Sequence, residues 1–306
     1  MTKGLFRQDH PYLFGLIVLG AMAMIFWAGV AFFISRLVSR SSSDIFTHKN
    51  GIGVIDLQGV MMSSEEVLAN LADFRQNKNI KAVLVRIDSP GGAVGAAQEI
   101  YQDIKRTAKI KPVVASMASV AASGGYYAAL GATKVLANPG AMTGSIGVII
   151  KFANLEKILD KVGYQAEVIK SGANKDIGSF SRAMTVAERE LLQTMIDDVH
   201  EQFIQAVADG RKLSVDTVRP LADGRIFTGR QAKELGLIDQ LGNFTDAVDQ
   251  AMILAGLEGE EPNLIYPKDK LFSFMDMLVG EKAQSVIKLL QPANVSLLYQ
   301  WNPSVQ

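Results

Sequence analysis

The stretch KAVLVRIDSPGGAVGAAQEIYQDIKRTAKIKPVVASM, residues 81–117, decides the fold class. KAVLVRID (81–88) and KPVVASM (111–117) are apolar runs too continuous to leave one face in water, which is the pattern of strands covered on both sides. Between them VGAAQEIYQDIKRTA (94–108) repeats its apolar residues at helical spacing. Upstream, GIGVIDLQGVM (51–61) reads as a strand and SSEEVLANLADFRQNKN (63–79) as a helix opened by serine. Strands that alternate with amphipathic helices give an α/β protein with a helix-covered sheet. Further on, Thr185 and Glu188 form a capping box that opens a helix to about Arg211, and 224–242 reads as a short strand followed by a helix from about Gly229.

The ends of the chain differ from this body. YLFGLIVLGAMAMIFWAGVAFFI (12–34) carries no charged residue and at 1.5 Å per residue can cross a hydrocarbon core of roughly 30 Å, so we expect a retained membrane anchor over 1–35. Lys3 and Arg7 precede this segment and Arg36 and Arg40 follow it, so charge bias does not orient it. Residues 36–50 are polar and serine-rich, a linker; 51–258 form the α/β domain; 259–306 form a C-terminal extension with an amphipathic helix at 271–291.

Composition removes several classes of function. The chain of 306 residues has a formal net charge of zero and no basic run, which gives no nucleic-acid footprint. It has no cysteine, so thiolate catalysis is absent, and with three scattered histidines no metal site is expected.

Within VAASGGYYAALGA (120–132), Ser123 stands between a buried strand and a helix-forming segment. At that point a hydroxyl lies near unused amides, those of Gly124 and Gly125, and near the positive end of a helix dipole. A nucleophile needs that setting, with the Gly124 amide as an oxyanion donor, yet an N-cap serine has the same pattern. Ser89-Pro90-Gly91-Gly92 ends another strand of the same sheet, where ligands of parallel sheets collect, and Gly91 or Gly92 can supply a second amide. A serine also needs a base. His10 abuts the anchor, His48 lies in the linker and His200 sits within a helix, so a histidine triad is not expected. A lysine made neutral by its surroundings can act as that base, and the sequence contains many lysines.

SPGG (89–92), MASVAASGGYY (117–127), TGSIGVI (143–149), KSGANKDIGSFSR (170–182) and GRIFTGRQAKELGLID (224–239), in that order, resemble the signal peptide peptidase A family, also called protease IV. The resemblance covers about residues 50–255. It implies a Clp/crotonase-like fold with a repeated ββα core, an N-terminal transmembrane helix and a membrane-anchored serine endopeptidase. Ser123 would be the nucleophile, Lys175 the general base and Ser145 the residue that orients the lysine, with Gly91, Gly92 and Gly124 holding the oxyanion. It implies no cofactor, peptide substrates such as cleaved signal peptides, a catalytic part outside the cytoplasm on the plasma (inner) membrane, and a ring-like homo-oligomer. The sequence departs from the family where Phe180 stands in place of an expected proline. Two other readings are a crotonase-type acyl-CoA lyase or hydratase and a catalytically silent membrane scaffold. Asp176, next to Lys175, would hold the lysine charged if both side chains faced one way, and Lys170 is the nearest competing base. An extended substrate would add as a strand beside 145–150.

Overall fold

The computed structural model describes residues 50–267 and 298–300, and within the N-terminal segment residues 12, 19–30 and 32. The chain divides into a unit up to Lys49 and a body from Asn50. Residues 19–30 are helical, and among the described residues no helix is long and apolar enough to cross a membrane. The remainder of the expected anchor, the linker before Asn50, His10, His48 and the expected helix at 271–291 lie outside the described residues.

The body runs β1 (Gly51–Gln58), α1 (Glu65–Gln76), β2 (Ile80–Ser89), β3 (Gly91–Ala93), α2 (Val94–Ala108), β4 (Val113–Ala122), α3 (Gly124–Ala129), β5 (Lys134–Ala137) and β6 (Met142–Gly144). There follow α4 (Glu156–Lys161), α5 (Val186–Arg211), α6 (Val215–Val218), β7 (Ile226–Thr228), α7 (Gly229–Glu234), β8 (Gln240–Leu241), α8 (Phe244–Leu254) and β9 (Leu264–Ile265), with β10 (Leu298–Gln300) beyond. Along the main sheet the strand order is β7-β6-β4-β2-β1-β9, and β5 pairs with β4 and β8. All pairings in this sheet are parallel except β6 with β7.

Side-chain alternation in the central strands buries both faces. Val83, Val85 and Ile87 of β2 pack with Ile100 and Ile104 of α2 and Phe203 of α5, while Ala82 and Leu84 turn the other way, onto Ala247, Val248 and Ala251 of α8. Each fully buried aliphatic side chain of this kind contributes roughly 1.5–3 kcal/mol, which is why the strands read as unbroken apolar runs. The helix expected at 94–108 is α2 with the same bounds. Thr185 and Glu188 close the expected capping box at the start of α5, with the Glu188 N–H on the Thr185 hydroxyl.

Three features differ from the sequence reading. Strand β4 does not end at Met117; it bulges and runs on to Ala122. The small residues let its second half pair with β6 (Val120 with Met142, Ala122 with Gly144) after its first half has paired with β5. Gly91 and Gly92 belong to a short strand, β3, which pairs antiparallel with β10. The body also continues past 258, because Leu264 and Ile265 add β9 beside Ile52 and Gly53.

Tyr126 braces helix α3 against the later part of the chain: it is fully buried and its hydroxyl donates to the Leu237 carbonyl at 2.8 Å. Tyr126→Phe leaves that carbonyl unpaired in the core and is expected to cost about 1–2 kcal/mol, read as a lower urea midpoint at unchanged slope. An unchanged midpoint would mean that the brace contributes nothing.

Candidate active site

The sheet's register assembles the site. Ala122 is the partner of Gly144, so the next residues, Ser123 and Ser145, leave neighbouring parallel strands side by side. On the other flank of β4, Ser89 is the partner of Ala121, which sets the Ser89–Gly92 turn beside the same strand end. Three of the sequence motifs thus meet at the carboxyl edge of β2, β4 and β6, where parallel sheets bind ligands.

Ser123 is strained there. Its backbone has φ 52° and ψ −116°, a region that side-chain-bearing residues rarely occupy, and its side chain makes no capping hydrogen bond. The N-cap alternative therefore does not describe this serine. Its N–H donates to the Gly144 carbonyl at 2.8 Å and its own carbonyl accepts from Tyr127 N–H at 2.8 Å, so the conformation is fixed from both sides while the hydroxyl has no hydrogen-bond partner among the described residues. The sharp strand-to-helix turn is similar in backbone to a nucleophile elbow, with Ser123 itself 1% exposed. Ser145 also has positive φ, 50°, follows Gly144 at φ 79°, and is pinned by its N–H on the Arg225 carbonyl at 2.8 Å.

The glycines divide by role. Gly124 is the first helical residue after Ser123, so its N–H lies ahead of any intrahelical acceptor. Gly91, at φ 100°, is not free to act: its N–H donates to the Ser89 hydroxyl at 3.1 Å, and that hydroxyl in turn donates to the Gly59 carbonyl at 2.6 Å. Met61 bridges to β3 through the Gly91 carbonyl and the Ala93 N–H. Strand alternation then turns the Gly92 amide to the opposite side, where Tyr299 of β10 is its partner. Gly92 must be glycine, since a Cβ there would lie 2.0 Å from the Met61 carbonyl oxygen.

Two positioning groups escaped the sequence reading. Asp88 accepts the Val120 N–H at 3.0 Å and so satisfies the bulge of β4 just ahead of Ser123. Ser89, fully buried, ties the turn to Gly59. A polar pair at the end of an apolar strand was the only available signal, and it reads equally well as a turn.

Among the described residues no hydrogen bond or ion pair links Lys175 to this cluster. Ser123 is 1% exposed, whereas Lys175 lies in an exposed loop and makes no side-chain hydrogen bond or ion pair among the described residues. Its neighbour Asp176 is occupied elsewhere, by Lys170 at 2.5 Å and by Arg182 Nε at 3.0 Å. Arg182 and, second to it, Lys170 hold the Asp176 carboxyl well below the usual carboxylate range. Lys170, the competing base, is thereby committed to an ion pair. Phe180 is exposed, and its carbonyl accepts the Leu155 N–H at 2.7 Å, so the loop is pinned there without a proline. His200 on α5 has a buried Nε2 without a hydrogen-bond partner. Among the described residues no group of histidines and carboxylates converges as a metal site requires.

The strain at Ser123 makes a testable difference. Glycine adopts φ near 52° without penalty, so Ser123→Gly should be more stable than Ser123→Ala by about 1 kcal/mol, both variants lacking the hydroxyl. Equal urea midpoints for the two would show that the turn is relaxed.

Comparison with known proteins identifies the family. The profile of peptidase family S49 matches residues 105–258, just over half of the chain, and that of Clp protease matches 47–150. A Synechocystis sp. protein named as a protease, slr0021, is 51% identical over 189 residues, 62% of this chain and 68% of that protein. Protease 4 of Salmonella typhi is 34% identical over 257 residues, 81% of this chain and 41% of its own length. The chloroplastic serine protease SPPA of Arabidopsis thaliana is 36% identical over 197 residues, 64% of this chain and 29% of its own. The chain thus spans less than half the length of these last two relatives. Its profile match and its register of serines and glycines lead to one conclusion: the chain belongs to peptidase family S49, and with it to the serine peptidases.

Proposed function

We propose that the protein is a membrane-anchored serine endopeptidase that uses a Ser-Lys dyad to degrade apolar peptides, cleaved signal peptides among them. The observation that carries this reading is Ser123, held at a positive φ with its hydroxyl uncommitted at a strand edge rich in backbone amides. Ser123 attacks the scissile carbonyl, and the Gly124 amide receives the oxyanion; the Gly92 amide, which faces Tyr299 of β10, joins it where substrate takes the place of 298–300. Lys175 takes the serine proton and returns it to the leaving amine, with Ser145 orienting the lysine. Gly91 drops out as a donor because its N–H is bound to Ser89.

Two features support an extended, apolar substrate. The antiparallel pairing of 298–300 with Gly91–Ala93 marks how extended backbone fits beside the Gly92 amide. A cavity of about 640 Å³ opens a few residues after Ser145, with an apolar wall of Val148, Ile149, Phe152 and Leu192 and a polar one that includes Arg182 and Arg189. The apolar 12–34 segment supports the anchor, and the family resemblance is what implies a plasma-membrane location with the catalytic body outside the cytoplasm. A peptide library should then favour Leu or Ala over Lys or Arg before the scissile bond, and a clear preference for basic residues would contradict the reading.

The dyad is completed between subunits in this proposal. Residues 151–175 are almost wholly exposed, α4 buries no residue, and Ile158, Val162 and Ile169 are 60%, 72% and 101% exposed. Uncovered aliphatic side chains of this size on the segment that leads to Lys175 suit a second copy of the chain, as in a ring. Ser123→Ala and Lys175→Ala, each inactive, should regain a fraction of peptide hydrolysis when mixed under conditions of subunit exchange. Exchanged mixtures that stay inactive would place both groups of one site in the same chain.

A further inference from the structure

The segment that carries Lys175 buries almost nothing, so hydrophobic packing does not hold it. What holds it is ionic. Every nitrogen of the Arg182 guanidinium is engaged: Nε donates to Asp176 Oδ2 at 3.0 Å, Nη1 to Glu188 Oε2 at 2.9 Å and to the Ala183 carbonyl at 3.1 Å, and Nη2 to Glu188 Oε1 at 2.5 Å and to the Asp176 carbonyl at 3.3 Å. Glu188 belongs to the first turn of α5, is 4% exposed, and also accepts the Thr185 N–H at 2.9 Å as half of the capping box. At the other end Lys170 donates to Asp176 and to the Ala173 carbonyl at 3.0 Å, closing the loop from 170 to 176 around Lys175.

From this geometry we infer that Arg182 is the positioning residue of Lys175, the strut that fixes the base-bearing loop to the buried start of helix α5. The inference rests on Lys175 being the base. The strut acts in two ways. It sets where the backbone of residue 175 stands, because residue 176 is bound through both its carboxylate and its carbonyl. It also keeps the Asp176 carboxylate engaged, so that this anion does not fold back onto the neighbouring ammonium and hold it charged. A planar fork that meets two carboxylates at once does what one ammonium cannot, so lysine is a poor substitute here. The ties persist at neutral pH, since Arg182 and Thr185 hold the Glu188 carboxyl down at about 2.

The test uses the full chain with a fluorogenic apolar peptide. Arg182→Gln is expected to lower kcat about tenfold or more while KM stays within about twofold, and Arg182→Lys to fall between it and wild type. Arg219→Gln, which breaks the similarly bidentate surface pair with Glu201 of the same helix, should keep kcat within about twofold. Phosphonylation of Ser123 by a fluorophosphonate, with loss of fluoride, then separates positioning from folding: Arg182→Gln should slow it in otherwise wild-type protein and leave it unchanged in a Lys175→Ala background. Unaltered kcat in Arg182→Gln, or an equal loss of phosphonylation in both backgrounds, would overturn the inference. Wild-type turnover by Lys175→Ala alone would overturn the assignment of the base, and this inference with it.

Discussion

One backbone hydrogen bond, from the Ser123 N–H to the Gly144 carbonyl, governs the geometry of the site. It extends the pairing of β4 and β6 one residue past Ala122 and obliges Ser123 to begin α3 from a positive φ. The same step brings Ser145 alongside, itself at positive φ. Strain of this kind costs on the order of 1–3 kcal/mol per residue and persists because neighbouring structure over-determines it. Here the bulge of β4, the Asp88 acceptor and the buried Tyr126 hydroxyl supply that determination. Tyr127 adds to it, with its ring between Tyr101 and Phe203 and burial pushing its phenol up to about 12.

The proposed nucleophile and its proposed base sit in opposite environments. Ser123 is embedded in a core that is apolar on both sides of the sheet, whereas Lys175 stands on a segment held by ion pairs and covered by nothing among the described residues. Under the proposed dyad, a base supplied by a second subunit would leave an isolated subunit with a serine that lacks its base. The physical cost of that arrangement is an exposed apolar surface, which the assembled form would cover.

Strong, local signals in the sequence reproduce well in the fold. Helix α2 and the capping box at Thr185 were legible because period and cap chemistry act within a few residues. The strand-end serines and glycines were legible as candidates for the same reason. What escaped was long-range. Nothing in MASVAAS indicates that small residues continue a strand, since that depends on β6 arriving from about twenty residues later. The loss of Gly91 as a donor follows from Ser89 and Gly59 meeting across two strand ends. Asp176 turning away from Lys175 was one of two alternatives in the sequence; its ion pairs with Lys170 and Arg182 decide between them.

The central claim is that Ser123, fixed at the edge of β4, is the nucleophile. Labelling the full-length protein with a fluorophosphonate and mapping the adduct by peptide mass spectrometry tests it most directly. The account predicts a single phosphonylated residue, Ser123, and no adduct after prior denaturation. An adduct on Ser145 or on another serine, or equal labelling of the denatured chain, would contradict it.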